Sequence, residues 1–278
     1  MQLKFLILTD IHDTWVHLDK MLRLASEMDG VIFLGDLMTF RKFTQASIDN
    51  LTRIKEASNW MIGVPGNGPL PRVREALDNL GINIHCKGQS FEDVGFFGVG
   101  GVQETSKTIS DIREFFKTQD TSSISPDERT METWNAFGIF FENGKFVVEE
   151  WSDFVLSKLD VYTSPFEHPE EQIHEILVTA YEQIKSSPIK ILISHMPPYE
   201  PGVVSAFAIG VSTGSKAVAQ FIEEHDVSLS LSGHNHQHYT FQIENTDCIM
   251  IPAVVNGFYG VLSVEAETME LNVEIRKF

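Results

Sequence analysis

The chain has little cysteine, few basic residues and no long apolar run. Its two cysteines, Cys86 and Cys248, are too few to staple 278 residues, so a secreted disulfide framework is excluded and two reduced thiols are expected. No apolar run reaches the about 18–20 residues that a membrane helix needs. The opening MQLKFLILTD has one lysine and an apolar run too short for a signal peptide before Asp10. A cytoplasmic protein without a membrane anchor is expected. Lysine and arginine number 21 against 39 aspartates and glutamates, for a formal charge of −18. Such a field repels polyanions at long range. That weighs against bulk nucleic acid, whose capture rests on neutralising phosphates. A local positive centre could still attract one phosphate group. Internal repeats and low-complexity tracts are also lacking. The 42% hydrophobic and 22% charged content is that of an ordinary globular protein.

Short apolar runs alternate with helical periodicity over the first third. Phe5–Leu8, Val31–Leu34 and Trp60–Val64 read as strands buried on both faces. Leu18 to Met28, Ile48 to Ile54 and Pro69–Leu80 read as the intervening helices, and Ile82–His85 as a short fourth strand. This rhythm implies a mainly parallel sheet. Phe91 to Val99 reads as a hairpin. Residues 105–169 break the rhythm and are expected to form an insertion or lid within a single domain spanning 1–278. Pro169–Ser186 and Gly214–Glu224 return to helix, with strands at Ile189–Ile193 and Val227–Leu231. The tail alternates strands at Tyr239–Ile243, Cys248–Ile251, Gly260–Val264 and Met269–Ile275, expected to form a second, largely antiparallel sheet.

Metal-type residues recur at strand ends. Asp10 and His12 follow the first strand, Asp36 the second, Asn67 the third, His195 a later one, and His234 and His236 the next. In open α/β sheets ligands bind at the carboxyl ends of strands. Carboxylate, imidazole and amide oxygen suit divalent first-row ions, with manganese the first choice and iron, zinc, cobalt or nickel as alternatives. Seven ligands exceed what one small ion takes, but with one carboxylate shared they fill two adjacent sites. A two-ion clamp is the usual device for hydrolysing phosphate esters. Each fragment alone is weak, since Gly-Asp after a strand is an ordinary turn. The ordered set is what carries weight.

That set, Asp10-Ile11-His12, Gly35-Asp36, Gly66-Asn67, His195 and Gly233-His234-Asn235-His236, resembles the calcineurin-like metallophosphoesterase superfamily. The turn Val255-Asn256-Gly257 is similar to one near that family's end, and Phe96–Gly101 to members related to cyclic-nucleotide phosphodiesterases. The resemblance implies a four-layer α-β-β-α sandwich of two mixed sheets with the metal site at the strand carboxyl ends. It implies one metal on Asp10, His12, Asp36 and His236 and another on Asp36, Asn67, His195 and His234. A bridging water or hydroxide would attack phosphorus. Asp36 and His234 are then the ligands expected to act in catalysis.

The family has His and then Asp after the ligand Asn, where this chain has Gly68 and Pro69. The missing His supplies general acid help, typically worth about 10²–10⁴ in rate. Esters with good leaving groups are therefore the expected substrates, a small phosphodiester or aryl phosphate. His85 is the first substitute acid to consider and His238 the second. Asn67, Gly68 and Arg41 are the expected substrate contacts, with Lys42, Tyr199 and Phe207 further candidates. Asp13 is expected to cap the helix after Thr14 or to steady a ligand histidine. His17, His168, His174 and His225 are expected in exposed or capping roles. The alternative function is a catalytically impaired metal-binding interaction scaffold of the same fold. Oligomeric state, including a homo-oligomer, is left open.

Overall fold

A computed structural model of the chain describes residues 2–39, 44–67, 71–103, 113–119, 139–148, 167–201 and 213–278, with single positions 121, 124, 131, 135 and 203. The first strand, β1 (Gln2–Leu8), shows how the layers arise. Successive side chains of a strand point to opposite faces. Phe5 and Ile7 enter one apolar cluster with Ile32, Ile62, Phe96, Ile191, Ile193 and Leu231. Leu6 and Leu8 enter another, with Met21, Leu24, Leu51, Ile54 and Leu77 from helices. Both faces are covered, so the strand reads as one continuous apolar run.

Two sheets lie face to face. The first runs β15 (Glu270–Lys277), β14 (Phe258–Glu265), β1, β2 (Gly30–Phe33), β3 (Met61–Gly63). The second runs β12 (Tyr239–Ile243), β13 (Thr246–Met250), β11 (Leu229–Ser232), β10 (Ile189–Ser194), β5 (Val94–Val99), β4 (Lys87–Phe91). The β1–β2, β2–β3, β5–β10, β10–β11 and β11–β13 pairs are parallel. Helices α1 (Leu18–Glu27), α2 (Gln45–Ala57) and α3 (Pro71–Asn79) cover the first sheet. Helices α4 (Glu170–Glu182) and α5 (Lys216–Glu224) cover the second, through Ile173, Leu177, Val218 and Phe221 on Phe97 and Leu192. The expected four-layer sandwich of mixed sheets is present.

Two expectations change. Ile82–His85 is not a strand. Asn83 makes a single bridge to Gly63 of the first sheet and His85 one to Gly98 of the second, so the segment stitches the two sheets together. The tail does not form a sheet of its own. β12 and β13 join the second sheet, while β14 adds to β1 from the other side. Each half finds an open edge of an existing sheet, which local sequence cannot reveal. Inside 105–169 the described parts are a helical turn over 113–118, a hairpin of β7 (Ile139–Glu142) and β8 (Lys145–Val148), and β9 (Glu167–His168). Strand β9 pairs in parallel with β6 (Val102–Gln103) at the root of this stretch. No helix among the described residues is long and apolar enough to cross a membrane.

Candidate metal centre

The loops after the parallel strands stay hydrogen-bonded to one another, which brings their side chains together. Asp10, His12 and Asp13 donate backbone N–H bonds to the carbonyls of Gly35, Asp36 and Leu37 at 3.0, 3.1 and 3.1 Å. In the second sheet His195 donates to Val99 and Gly233 to His195, at 3.3 and 3.1 Å. The turn at Val255-Asn256-Gly257 closes the group. Val254 and Val255 donate to the Thr9 and Asp10 carbonyls, and Asn256 donates its amide to the His236 carbonyl.

All seven expected ligands are linked by side-chain distances, Asn67 and His234 through His195. His12 Nε2 lies 3.0 Å from His236 Nε2 and 3.7 Å from an oxygen of both Asp10 and Asp36. His236 Nε2 lies 3.4 Å from Asp10 Oδ1. On the other side His195 Nε2 lies 3.6 Å from Asp36 Oδ2, 2.9 Å from Asn67 Oδ1 and 3.3 Å from His234 Nδ1. Two groupings offer one ligand atom each within 4.8 Å of one another: Asp10, His12 and His236, and Asp10, Asp36 and His195. Asp10 falls in both, and Asp36 in the second, with its Oδ2 3.7 and 3.6 Å from the His12 and His195 Nε2 atoms.

The donors fit metal ions. Asp10 is fully buried, and its Oδ1 has no hydrogen-bond partner. An unpaired buried carboxylate oxygen is costly unless a cation meets it. Its other oxygen accepts from Thr9 Oγ1 at 2.6 Å and from the His234 N–H at 3.1 Å, which fixes the direction of Oδ1. His12 donates its Nδ1–H to the Met38 carbonyl at 3.2 Å, and His195 donates its own to Leu34 at 2.8 Å. Each Nε2 is then left as a lone pair facing the cluster, the usual support for a ligating histidine. Gly66 passes so near Asp36 that a Cβ there would overlap the carboxylate.

The crowding of these groups moves their titration in opposite directions. Burial opposes ionised Asp10, but the neighbouring His12 and His236 imidazoles and the charge of His195 outweigh it and hold the carboxyl well below its usual value. Burial likewise opposes a charged His12. The neighbouring Asp10 and Asp36 carboxylates prevail and raise it to about 9. For His234, burial and the neighbouring His195 charge dominate and lower it to about 4. Metal ligation takes the neutral imidazole and the ionised carboxylate.

The other expected residues fall elsewhere. His85 is buried; its Nδ1 accepts from the Gly100 N–H at 3.0 Å, and its ring stacks on His168 at 5.3 Å. The leading charges it feels are those of His168, Arg74, Asp78 and Lys87. His168 is buried rather than exposed. His238 Nδ1 lies 3.1 Å from the Met250 carbonyl. Tyr199 is partly exposed with Lys216 Nζ 5.3 Å over its ring. Asp13 caps no helix: it accepts from the Thr39 N–H, Thr44 Oγ1 and Ser47 Oγ, and so ties the first metal loop to the start of α2. His17 and His225 stack on Phe278 and Phe221, and His174 pairs with Glu224. Arg41, Lys42, Gly68 and Phe207 lie outside the described residues. Sequence reasoning passed over Thr9 and the Leu34 and Met38 carbonyls. Their one signal is position, each lying at a strand end or beside a ligand.

The profile described as calcineurin-like phosphoesterase matches residues 3–238. The chain belongs to that family. Its members are metal-dependent phosphoesterases, and the donor set above is of the kind they need. Protein MJ1162 of Methanocaldococcus jannaschii is 21% identical over 213 residues, 76% of this chain and 69% of that one. The crystal structure of TT1561 of Thermus thermophilus superposes with a TM-score of 0.62 at 16% identity, covering 99% of both chains. The phosphopantetheinyl hydrolase of Mycobacterium tuberculosis gives 0.50 at 12% identity, over 90% of this chain and 89% of that one. At these identities the two structures speak for the shared fold.

Proposed function

We propose that the protein is a two-metal hydrolase of small phosphoesters, a phosphodiester or an aryl phosphate in preference to an alkyl monoester, and that manganese is its first-choice metal. The observation that carries this is the buried, unpartnered Asp10 Oδ1 with two imidazole Nε2 atoms 3.4 and 3.7 Å away. Asp10, His12, Asp36 and His236 would hold one ion, and Asp36, Asn67, His195 and His234 the other. Divalent ions in such a pair supply positive charge for the phosphoryl oxygens and make a water nucleophilic near neutral pH.

The chain's own part is positioning. Met38 and Leu34 orient His12 and His195 through their carbonyls. Thr9 and the His234 N–H orient Asp10. Asp36 spans the two groups. Gly68 and Pro69 stand where the family carries His and Asp after the ligand Asn, so the substrate's leaving group should be stable as an anion. The chain's formal charge of −18 favours a small substrate over a polymer. Residues 105–169, as an insertion within one domain, would supply part of the substrate wall.

The test is hydrolysis of bis-p-nitrophenyl phosphate and p-nitrophenyl phosphate by protein stripped of metal and reloaded with Mn²⁺. Metal-dependent turnover of both, faster on the diester and abolished in Asp36→Asn, is expected. Gly68 and Pro69, where the family carries His and Asp, favour a second function, a metal-binding scaffold. Two tightly bound ions without turnover of either ester would select it.

A further inference from the structure

His85 lies outside the cluster yet is connected to it. The connection starts at the ring. Nδ1 accepts from the Gly100 N–H, so the proton of the neutral imidazole sits on Nε2. The next residue, Gly101, donates its N–H to the Pro65 carbonyl at 2.9 Å. Gly100 itself lies so close to Pro65 that a Cβ would overlap the proline ring. Pro65 stands two residues before Asn67, whose Oδ1 is 2.9 Å from His195 Nε2. The backbone on either side of His85 is fixed as well. The His85 N–H donates to Asn83 Oδ1, and the Cys86 N–H donates to the Gly98 carbonyl.

One face of the ring meets the root of the 105–169 stretch. His168 stacks on His85 with 23° between the planes. It sits in β9, which pairs with β6 directly after Gly100 and Gly101. Burial first, then the charges of His168, Arg74 and Lys87, keep His85 neutral, and Asp78 opposes them only in part. A ring held neutral, with one nitrogen already accepting a backbone hydrogen bond, is a poor proton donor and a good strut.

We infer that His85 is a positioning residue: its Nδ1 holds the Gly100–Gly101 turn against Pro65 and so sets Asn67 toward its metal, while His168 fixes the ring from the insertion side. This rests on the two-metal function proposed above. It replaces the expectation that His85 is the substitute acid.

The test uses the full chain with two substitutions. His85→Asn places an amide oxygen near the Nδ1 position and keeps the acceptor, but it cannot exchange a proton at neutral pH. His85→Phe keeps the ring stack and loses the acceptor. Mn²⁺ binding is followed through the electron paramagnetic resonance of the free ion. Hydrolysis is compared on bis-p-nitrophenyl phosphate and a phenyl phosphodiester with a poorer leaving group. Loss of an outer-shell partner typically costs about 10–100-fold in metal affinity. That loss is expected at one of two sites in His85→Phe, with both esters slowed alike and rescue in His85→Asn. Unchanged Mn²⁺ binding in His85→Phe would overturn the inference. So would a His85→Asn protein that binds Mn²⁺ normally but loses rate selectively on the phenyl ester, which would make His85 the acid. Should His85→Phe fail to fold, His85→Asn still decides, because weakened Mn²⁺ binding there would refute the acceptor role. Wild-type protein that binds Mn²⁺ yet hydrolyses neither ester would sink the phosphoesterase proposal alone, and the binding curves would still judge His85.

Discussion

Acidification should expose the state of His85 as a loss of stability. In the native protein its imidazole is lowered to about 4, chiefly by burial and then by the charges of His168 and Arg74. In the unfolded chain it returns to about 6.5. Between those values the unfolded state binds more protons than the native one, so stability falls as pH falls. The contribution is complete above about 6.5 and exhausted below about 4. The gap, at about 1.4 kcal/mol per pH unit, amounts to about 3 kcal/mol in full and about 2 kcal/mol between pH 7 and pH 5. His85→Asn retains the acceptor for Gly100 and has no such proton to take up. Urea unfolding of metal-free wild type and His85→Asn, each at pH 7 and pH 5, isolates this pair because every other titration is common to both proteins. Wild type should lose about 2 kcal/mol more than the variant over that interval, read as the effect of His85 together with its stacked partner His168. Parallel losses would show that His85 titrates normally in the native state, and the neutral strut would be wrong.

Other substitutions probe the frame around the metals. Gly66→Ala puts a methyl group into the Asp36 carboxylate, so metal content by elemental analysis and turnover should collapse together while the circular dichroism of the fold persists. Asp13→Ala removes the acceptor of the Thr39, Thr44 and Ser47 hydrogen bonds. It should cost about 2 kcal/mol in chemical unfolding with Mn²⁺ still bound, and loss of metal instead would mean that Asp13 steadies the ligands. The Glu170 carboxylate accepts from Ser215 Oγ and from the N–H groups of Lys216 and Ala217 at the start of α5. Glu170→Ala should cost about 1–2 kcal/mol, read from the unfolding midpoint, and unchanged stability would show that water replaces the cap.

What the sequence makes legible follows the range of the forces involved. Phe5–Leu8 and Val31–Leu34 are readable as doubly buried strands because both faces are apolar, and the ligand-type residues stand out because each follows such a run. The distribution of the tail is not readable. β12 and β13 alternate much as β14 and β15 do, yet they enter different sheets, a choice made by open edges at β11 and β1. Ile82–His85 has strand composition but lies where the two sheets meet, so it makes one bridge to each. His168 looks like a helix-end histidine and is a buried stacking partner, because its neighbour is 83 positions away in sequence. For Asp13, local reasoning finds the helix that follows, while its actual partners lie on the next strand–helix connection.

The backbone at the centre explains why these residue types stand at these positions. Asp10, His12, Asp36, His234 and His236 all have positive φ, from 48° to 71°. Parallel strands carry their side chains alternately up and down, so ligands from neighbouring strand ends converge only if the chain turns sharply as it leaves the sheet. The left-handed conformation makes that turn and costs roughly 1–2 kcal/mol for a residue with a Cβ. Five such residues together approach the lower end of a domain's whole net stability, about 5–15 kcal/mol. The backbone bonds from Asp10 and His12 to Gly35 and Asp36 hold the conformation against that cost. Asp, Asn and His are the side chains, after Gly, that enter this region most readily. They are also the ones that offer oxygen and nitrogen to a divalent ion. Gly at such a position would relax the turn and lose the ligand, and a β-branched residue would lose both. At these five positions conformation and coordination therefore select the same short list of residues, while Asn67 and His195 reach the site without the left-handed turn.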